Sequence, residues 1–138
     1  LQITKGEKMS GTALLRDPIK YVRDRAKARY KKGSHCEICE TTDNLDFHHY
    51  YTMTPLFNKW CKIKGYTVKI VDDILNIRDE FIKEEEDKVY NKTVTLCHEH
   101  HMKLHSVYGK DPALTTAEKQ MNWVRIQREK YEARKLAS

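Results

Sequence analysis

Apolar residues recur at spacings of three and four in several stretches of this chain, and the helices follow from that rhythm. Ile19, Val22, Ala26 and Tyr30 form one stripe. Asp17-Pro18 reads as an N-cap followed by proline at the first helical position. Gly33 supplies a stop where left-handed backbone is cheap. The pattern therefore predicts a helix over 17–32. Residues 55–64 read as a short helix. Val71, Ile74, Leu75, Ile77, Phe81, Ile82 and Val89 give the apolar face of a helix over 71–89. Thr115-Thr-Ala-Glu118 has the form of a capping box and opens a last helix to about Lys135. Met121, Val124 and Tyr131 lie on its core side, with Trp123 and Ile126 nearby.

Strands are predicted at Leu45–Tyr51, at Tyr66–Ile70 where apolar and polar residues alternate, and at Thr93–Leu96 leading into Cys97. From His100 the spacing suits a helix to about Tyr108, ended by Gly109. Residues 1–15 show no clear periodicity, and no repeat or low-complexity segment occurs. The result is an α+β chain, mostly helical, read as one domain over 1–138.

Composition adds two constraints. Mean hydropathy is −0.80 and a third of the residues are charged, so the apolar core is small and a bound metal would help to hold it. The net charge of +6 is uneven: residues 1–35 sum to +7, residues 36–49 to −4, residues 50–90 to −1 and residues 91–138 to +4. Basic ends suit a polyanion, DNA or RNA, although a solvated basic surface would look the same. Lys20, Arg23, Arg25, Lys27, Arg29, Lys31 and Lys32 cover most of the polar side of the predicted 17–32 helix. Arg23, Arg25, Lys27, Arg29, Lys31 and Lys32 are the candidate phosphate contacts. No apolar run approaches a membrane span and no secretory leader is visible, so the expected location is cytoplasmic.

Chemistry concentrates in two windows. All seven histidines lie within 35–49 or 98–105, and three of the four cysteines sit in or directly beside the same windows. Histidine and cysteine are the side chains that bind transition metals, so the fold is expected to join these windows. Cys36 and Cys39 have the two-residue spacing of a zinc knuckle, and Cys97 and His100 repeat it. A site of three cysteines and one histidine closes all four tetrahedral positions, as in structural zinc. The alternatives are two unrelated pairs, or Cys61 in place of His100. His101 and His105, four apart on a predicted helix, present both imidazoles on one face. His48 and His49 are adjacent on a predicted strand and point to opposite sides. At most one of them joins the His101/His105 metal directly. The other can take a proton from water, the division that phosphodiester hydrolysis needs.

These residues resemble the HNH endonuclease superfamily across 36–50 and 91–108. The resemblance implies a ββα-metal core of two antiparallel strands and one helix around a divalent ion. It implies that His48, His101 and His105 hold that ion, a set similar to that of the colicin-type DNases, and that His49 is the general base. Asn91 takes the role of the middle Asn, which fixes the loop and orients the base. It lies one residue earlier than the family's usual position. The final Cys of the family's second knuckle is His100 here. The strand connection over 51–90 is a long helical insertion, flanked outside the 36–108 core by a basic N-terminal helix region (1–35) and a C-terminal helix (109–138).

The expected function is thus a metal-dependent endonuclease hydrolysing DNA, with structural Zn²⁺ and a catalytic Mg²⁺, Mn²⁺, Ni²⁺ or Zn²⁺. Double-stranded DNA is the expected partner. Two alternatives are an RNA-directed nuclease and a zinc-stabilised nucleic-acid-binding module without cleavage. Small stand-alone members of the superfamily are common in phages.

Overall fold

A computed structural model describes residues 19–138. The expected cap at Asp17-Pro18 lies outside them. Among the described residues, five α-helices and two strands occur in the order α1 (Ile19–Lys27), β1 (Leu45–His49), α2 (Met53–Lys64), α3 (Val71–Glu84), β2 (Thr93–Cys97), α4 (His98–Tyr108) and α5 (Ala117–Ala137). The described chain divides into two compact units, one from residues 19–30 and 53–90, the other from Lys31–Thr52 and Asn91–Ser138.

The first unit packs α1, α2 and α3. Ile19, Val22 and Ala26 are buried on α1 as their spacing predicts. Met53, Leu56, Phe57, Trp60, Ile74, Ile77 and Phe81 fill the rest of its interior. Trp60 and Phe57 each meet Phe81 edge to face, with centroids 5.4 and 5.1 Å apart.

Four expectations are corrected in this unit. Helix α1 ends at Lys27 rather than near Lys32. The Ala26 carbonyl accepts both the Arg29 N–H and the Tyr90 hydroxyl, so the chain turns there instead of adding another helical residue. Residues 66–70 form no strand beyond a single bridge at Ile70. The N–H groups of Lys69 and Ile70 both donate to the buried Asp73 carboxylate, at 2.7 and 3.1 Å, and are lost to any ladder. Helix α3 stops at Glu84, and the segment Asp87–Asn91 continues as one wide π turn. Leu75, placed on the apolar face, is exposed.

The second unit is built on an antiparallel pair in which Leu45 faces Cys97, Phe47 faces Thr95, His48 faces Val94 and His49 faces Thr93. Helix α4 follows β2 without a connecting residue. Its start is two residues earlier than predicted, because Cys97 caps it with its sulfur toward the His100 N–H. Gly109 ends it with φ of 92°, a backbone that favours glycine. Cys36, Ile38, Tyr50, Leu96, Cys97, Leu104, Ala117 and Val124 form the core, with Met121, Trp123 and Tyr131 of α5 against it.

Gly33 does not stop a helix. Its N–H donates to Thr95 Oγ1 at 2.6 Å, and a Cβ there would come within 3.2 Å of that oxygen. The capping box before α5 does not form either. Leu114–Thr116 is a 3₁₀ turn, and the Thr116 hydroxyl donates back to the Ala113 carbonyl. Among the described residues no helix is long and apolar enough to cross a membrane.

Candidate metal centres

Cys36, Cys39, Cys97 and His100 come together, with their ligand atoms all within 4.8 Å of one another. The loop before β1 brings the first two. It is held by Cys36 N–H to Thr41 O and by Glu37 N–H to Thr95 O of β2. The end of β2 and the first turn of α4 bring the other two. Cys39 Sγ and Cys97 Sγ are 3.9 Å apart, and Cys97 Sγ is 3.3 Å from His100 Nδ1. Ordinary zinc bond lengths in a tetrahedron give about 3.8 Å between sulfurs and about 3.6 Å from sulfur to nitrogen.

The cysteines form no disulfide. Burial raises the Cys36 thiol, but N–H groups aimed at its sulfur outweigh this and leave it below its ordinary range. Cys97 is pushed up to about 11 by burial. A cation among four such donors would relieve the crowding of sulfur charge. Cys61 is buried in α2 and takes no part in the group.

His48 of β1 and His101 and His105 of α4 form a second group, again with donors within 4.8 Å. The i, i+4 spacing on α4 sets His101 Nε2 3.1 Å from His105 Nε2. His48 Nδ1 is also 3.1 Å from His101 Nε2. The outer nitrogens have partners. His101 Nδ1–H donates to Asp46 Oδ2 at 3.0 Å, and His105 Nδ1–H donates to the Gly109 carbonyl at 2.8 Å. A carboxylate and a carbonyl can only accept, so when the two rings are neutral both Nε2 atoms carry lone pairs and face each other. That arrangement is repulsive until a cation lies between the lone pairs, and the donor set fits a divalent transition metal.

Burial holds His48 down to about 4. It also lowers His101, against the opposing pull of Asp46. Both rings are therefore in the neutral form that a metal requires. Asp46 itself is pushed up by burial but brought below its ordinary range by the His101 and His98 hydrogen bonds.

Strand alternation separates the neighbouring candidate. The His49 ring meets Phe47 edge to face, 5.2 Å between centroids, whereas His48 packs against Tyr50. His49 is not among the residues whose ligand atoms converge there. Asn91 is exposed at the end of the π turn, just outside the strand pair, where Tyr50 N–H reaches Lys92 O.

The basic stretch is more engaged than its sequence suggests. Arg25 grips Asp79 with two nitrogens, at 2.8 and 3.3 Å. Arg29 pairs with Glu86 and lies over the Tyr90 ring. Lys32 donates to the Leu45 carbonyl. Arg23 and Lys27 on α1, and Lys31 beyond it, make no ion pair with another described residue within 4 Å.

Sequence reasoning missed Asp46, the Gly109 carbonyl and Gln120, whose Oε1 lies 2.7 Å from His48 Nε2. Asp46 could have been found, since it sits two residues before His48 on the same strand face. Gln120 left a fainter sign, a polar residue one helical turn before the core residue Val124.

Residues 9–135 match the family model of the phage T5 nicking endonuclease family. No solved structure matches the chain.

Proposed function

The chain belongs to the nicking endonuclease family, and from that premise we propose that it is a metal-dependent HNH endonuclease that cuts one strand of DNA. The observation that carries this reading is the convergence of the His48, His101 and His105 nitrogens, on a strand pair and the helix that follows it.

In this reading His48, His101 and His105 hold the divalent ion. Bound there, Mg²⁺, Mn²⁺, Ni²⁺ or Zn²⁺ would neutralise charge on the phosphate and on the leaving oxygen. His49 is the general base and accepts a proton from the attacking water at a ring nitrogen. Its place on the other face of β1 requires the scissile phosphate to lie across the end of the strand. Asn91, beside that end, fixes the loop that orients His49. Cys36, Cys39, Cys97 and His100 hold a structural Zn²⁺, because four protein donors leave no position for substrate or water. The segment 51–90 is then an insertion between the two core strands.

Arg23, Lys27 and Lys31 are the first candidates for binding phosphate. Arg25, Arg29 and Lys32 would have to give up partners that they already hold.

The test is a supercoiled plasmid incubated with the protein and each divalent ion in turn. The expected product is open circles, with none in EDTA. Cleavage undiminished by EDTA would reject the metal reading. Binding without cleavage under every ion would favour a non-catalytic zinc-stabilised module.

A further inference from the structure

We propose that Gln120, on the C-terminal helix and far in sequence from the histidine windows, is a positioning residue that fixes the tautomer of His48 and so makes Nδ1 its inward-facing donor. This rests on the proposed three-histidine site and concerns how that site is held.

A closed chain of donors and acceptors surrounds this side chain. Gln120 is completely buried. Its Nε2 lies 3.2 Å from the Tyr50 carbonyl and 2.9 Å from Thr116 Oγ1. The carbonyl can only accept. The Thr116 hydroxyl already donates its hydrogen to the Ala113 carbonyl, so toward Gln120 it too can only accept. The amide nitrogen must therefore face both. Turning the amide over would set Oε1 against two acceptors and leave buried lone pairs opposed.

With the amide fixed, Oε1 points at His48 Nε2 at 2.7 Å. An amide oxygen has no proton to give, so His48 Nε2 must carry the hydrogen. The lone pair of the neutral ring is then on Nδ1, the atom 3.1 Å from His101 Nε2. His101 and His105 are set the other way round, with Nδ1 outward on Asp46 and Gly109. The three rings thus offer one Nδ1 and two Nε2 donors, each turned inward by a different acceptor. Metal-binding histidines depend on such outer partners for orientation, and removing one typically lowers metal affinity about 10–100-fold.

The test is ¹⁵N-edited NMR of the imidazoles in the full chain before Mn²⁺ is added, followed by Mn²⁺ titration. Wild-type His48 should be protonated at Nε2. Gln120→Met keeps the length but removes the acceptor. It should leave His48 divided between tautomers and weaken Mn²⁺ binding about 10–100-fold. Gln120→Glu keeps an oxygen toward His48 and, held as the buried neutral acid whose O–H takes over donation to the Tyr50 carbonyl, should retain the Nε2–H tautomer, which a purely space-filling role would not distinguish from Gln120→Met.

A wild-type His48 protonated at Nδ1 would overturn the proposal, as would a Gln120→Met protein with unchanged tautomer and Mn²⁺ affinity. If Gln120→Met fails to fold, read as loss of bound zinc and of helical dichroism, the wild-type spectrum and Gln120→Glu decide. Wild-type protein that shows the Nε2–H tautomer yet binds no Mn²⁺ would instead count against the three-histidine metal site, leaving the tautomer assignment standing.

Discussion

His101 and His105 each give one nitrogen to an oxygen acceptor and turn the other toward a shared point, while His49, next to His48 in sequence, faces away with Phe47. Substitutions on the two sides of β1 should therefore fail differently. His49→Ala should lower the single-turnover cleavage rate roughly 10²–10⁴-fold, as removal of a general base does. Zinc content and DNA affinity should be unchanged in the same preparation. Near-normal turnover would remove His49 from the chemistry.

Cys61 makes the stability of the fold sensitive to alkaline pH. Its thiol is pushed by burial from an ordinary 9.0 to about 11. The folded state favours the neutral thiol. Below pH about 9 the unfolded thiol is neutral too, and the contribution to stability is fully present. Above that the unfolded chain ionises first, so the contribution is lost as pH rises toward about 11. Urea unfolding at pH 8 and pH 10 should show an alkaline loss that Cys61→Ala reduces. An equal loss in both proteins would mean that Cys61 ionises as freely in the folded state as in the unfolded one.

At the scale of elements, α1 mixes cations that pair with other described residues and cations that make no ion pair among the described residues. Replacing Arg23, Lys27 and Lys31 with Gln should flatten the slope of log K against log salt by about 0.9 for each phosphate no longer neutralised, with little change in stability. Arg25→Ala should show the opposite balance, since its guanidinium holds Asp79 of α3. Binding measured across a salt series checks both, and an unchanged slope in the triple variant would move the DNA face elsewhere. The same helix shows what sequence can carry. The stripe Ile19, Val22, Ala26 was legible because burial of one face is local and periodic. The end of α1 was not, because it depends on a hydroxyl from Tyr90, 64 residues away from Ala26. The alternation at 66–70 looked like a strand, but Asp73 claims the amides that a ladder would need. The two groups that could hold a metal were readable from residue type and spacing, except that spacing left His48 and His49 open and the family resemblance chose His48. Their outer partners were not, since nothing in the spacing of Gln120 points to a strand 72 residues earlier.

At the scale of the whole molecule, the second unit closes around a small core that includes Cys36 and Cys97 themselves. If Zn²⁺ is held there as proposed, removing it should take away much of what holds β1, β2 and α4 together. The purified chain is expected to carry about one tightly held zinc, and Cys36→Ser or Cys97→Ser should unfold the unit, seen as loss of near-ultraviolet dichroism. A folded, active protein without zinc by elemental analysis would contradict this. In the proposed site the three inward nitrogens hold the ion on which DNA nicking depends, and the decisive experiment is Mn²⁺-dependent nicking of supercoiled plasmid by wild-type, His101→Ala and His105→Ala proteins. Both variants should need far more Mn²⁺ for half-maximal nicking and recover part of the rate when it is supplied, whereas equal Mn²⁺ dependence in all three proteins would refute the three-histidine site.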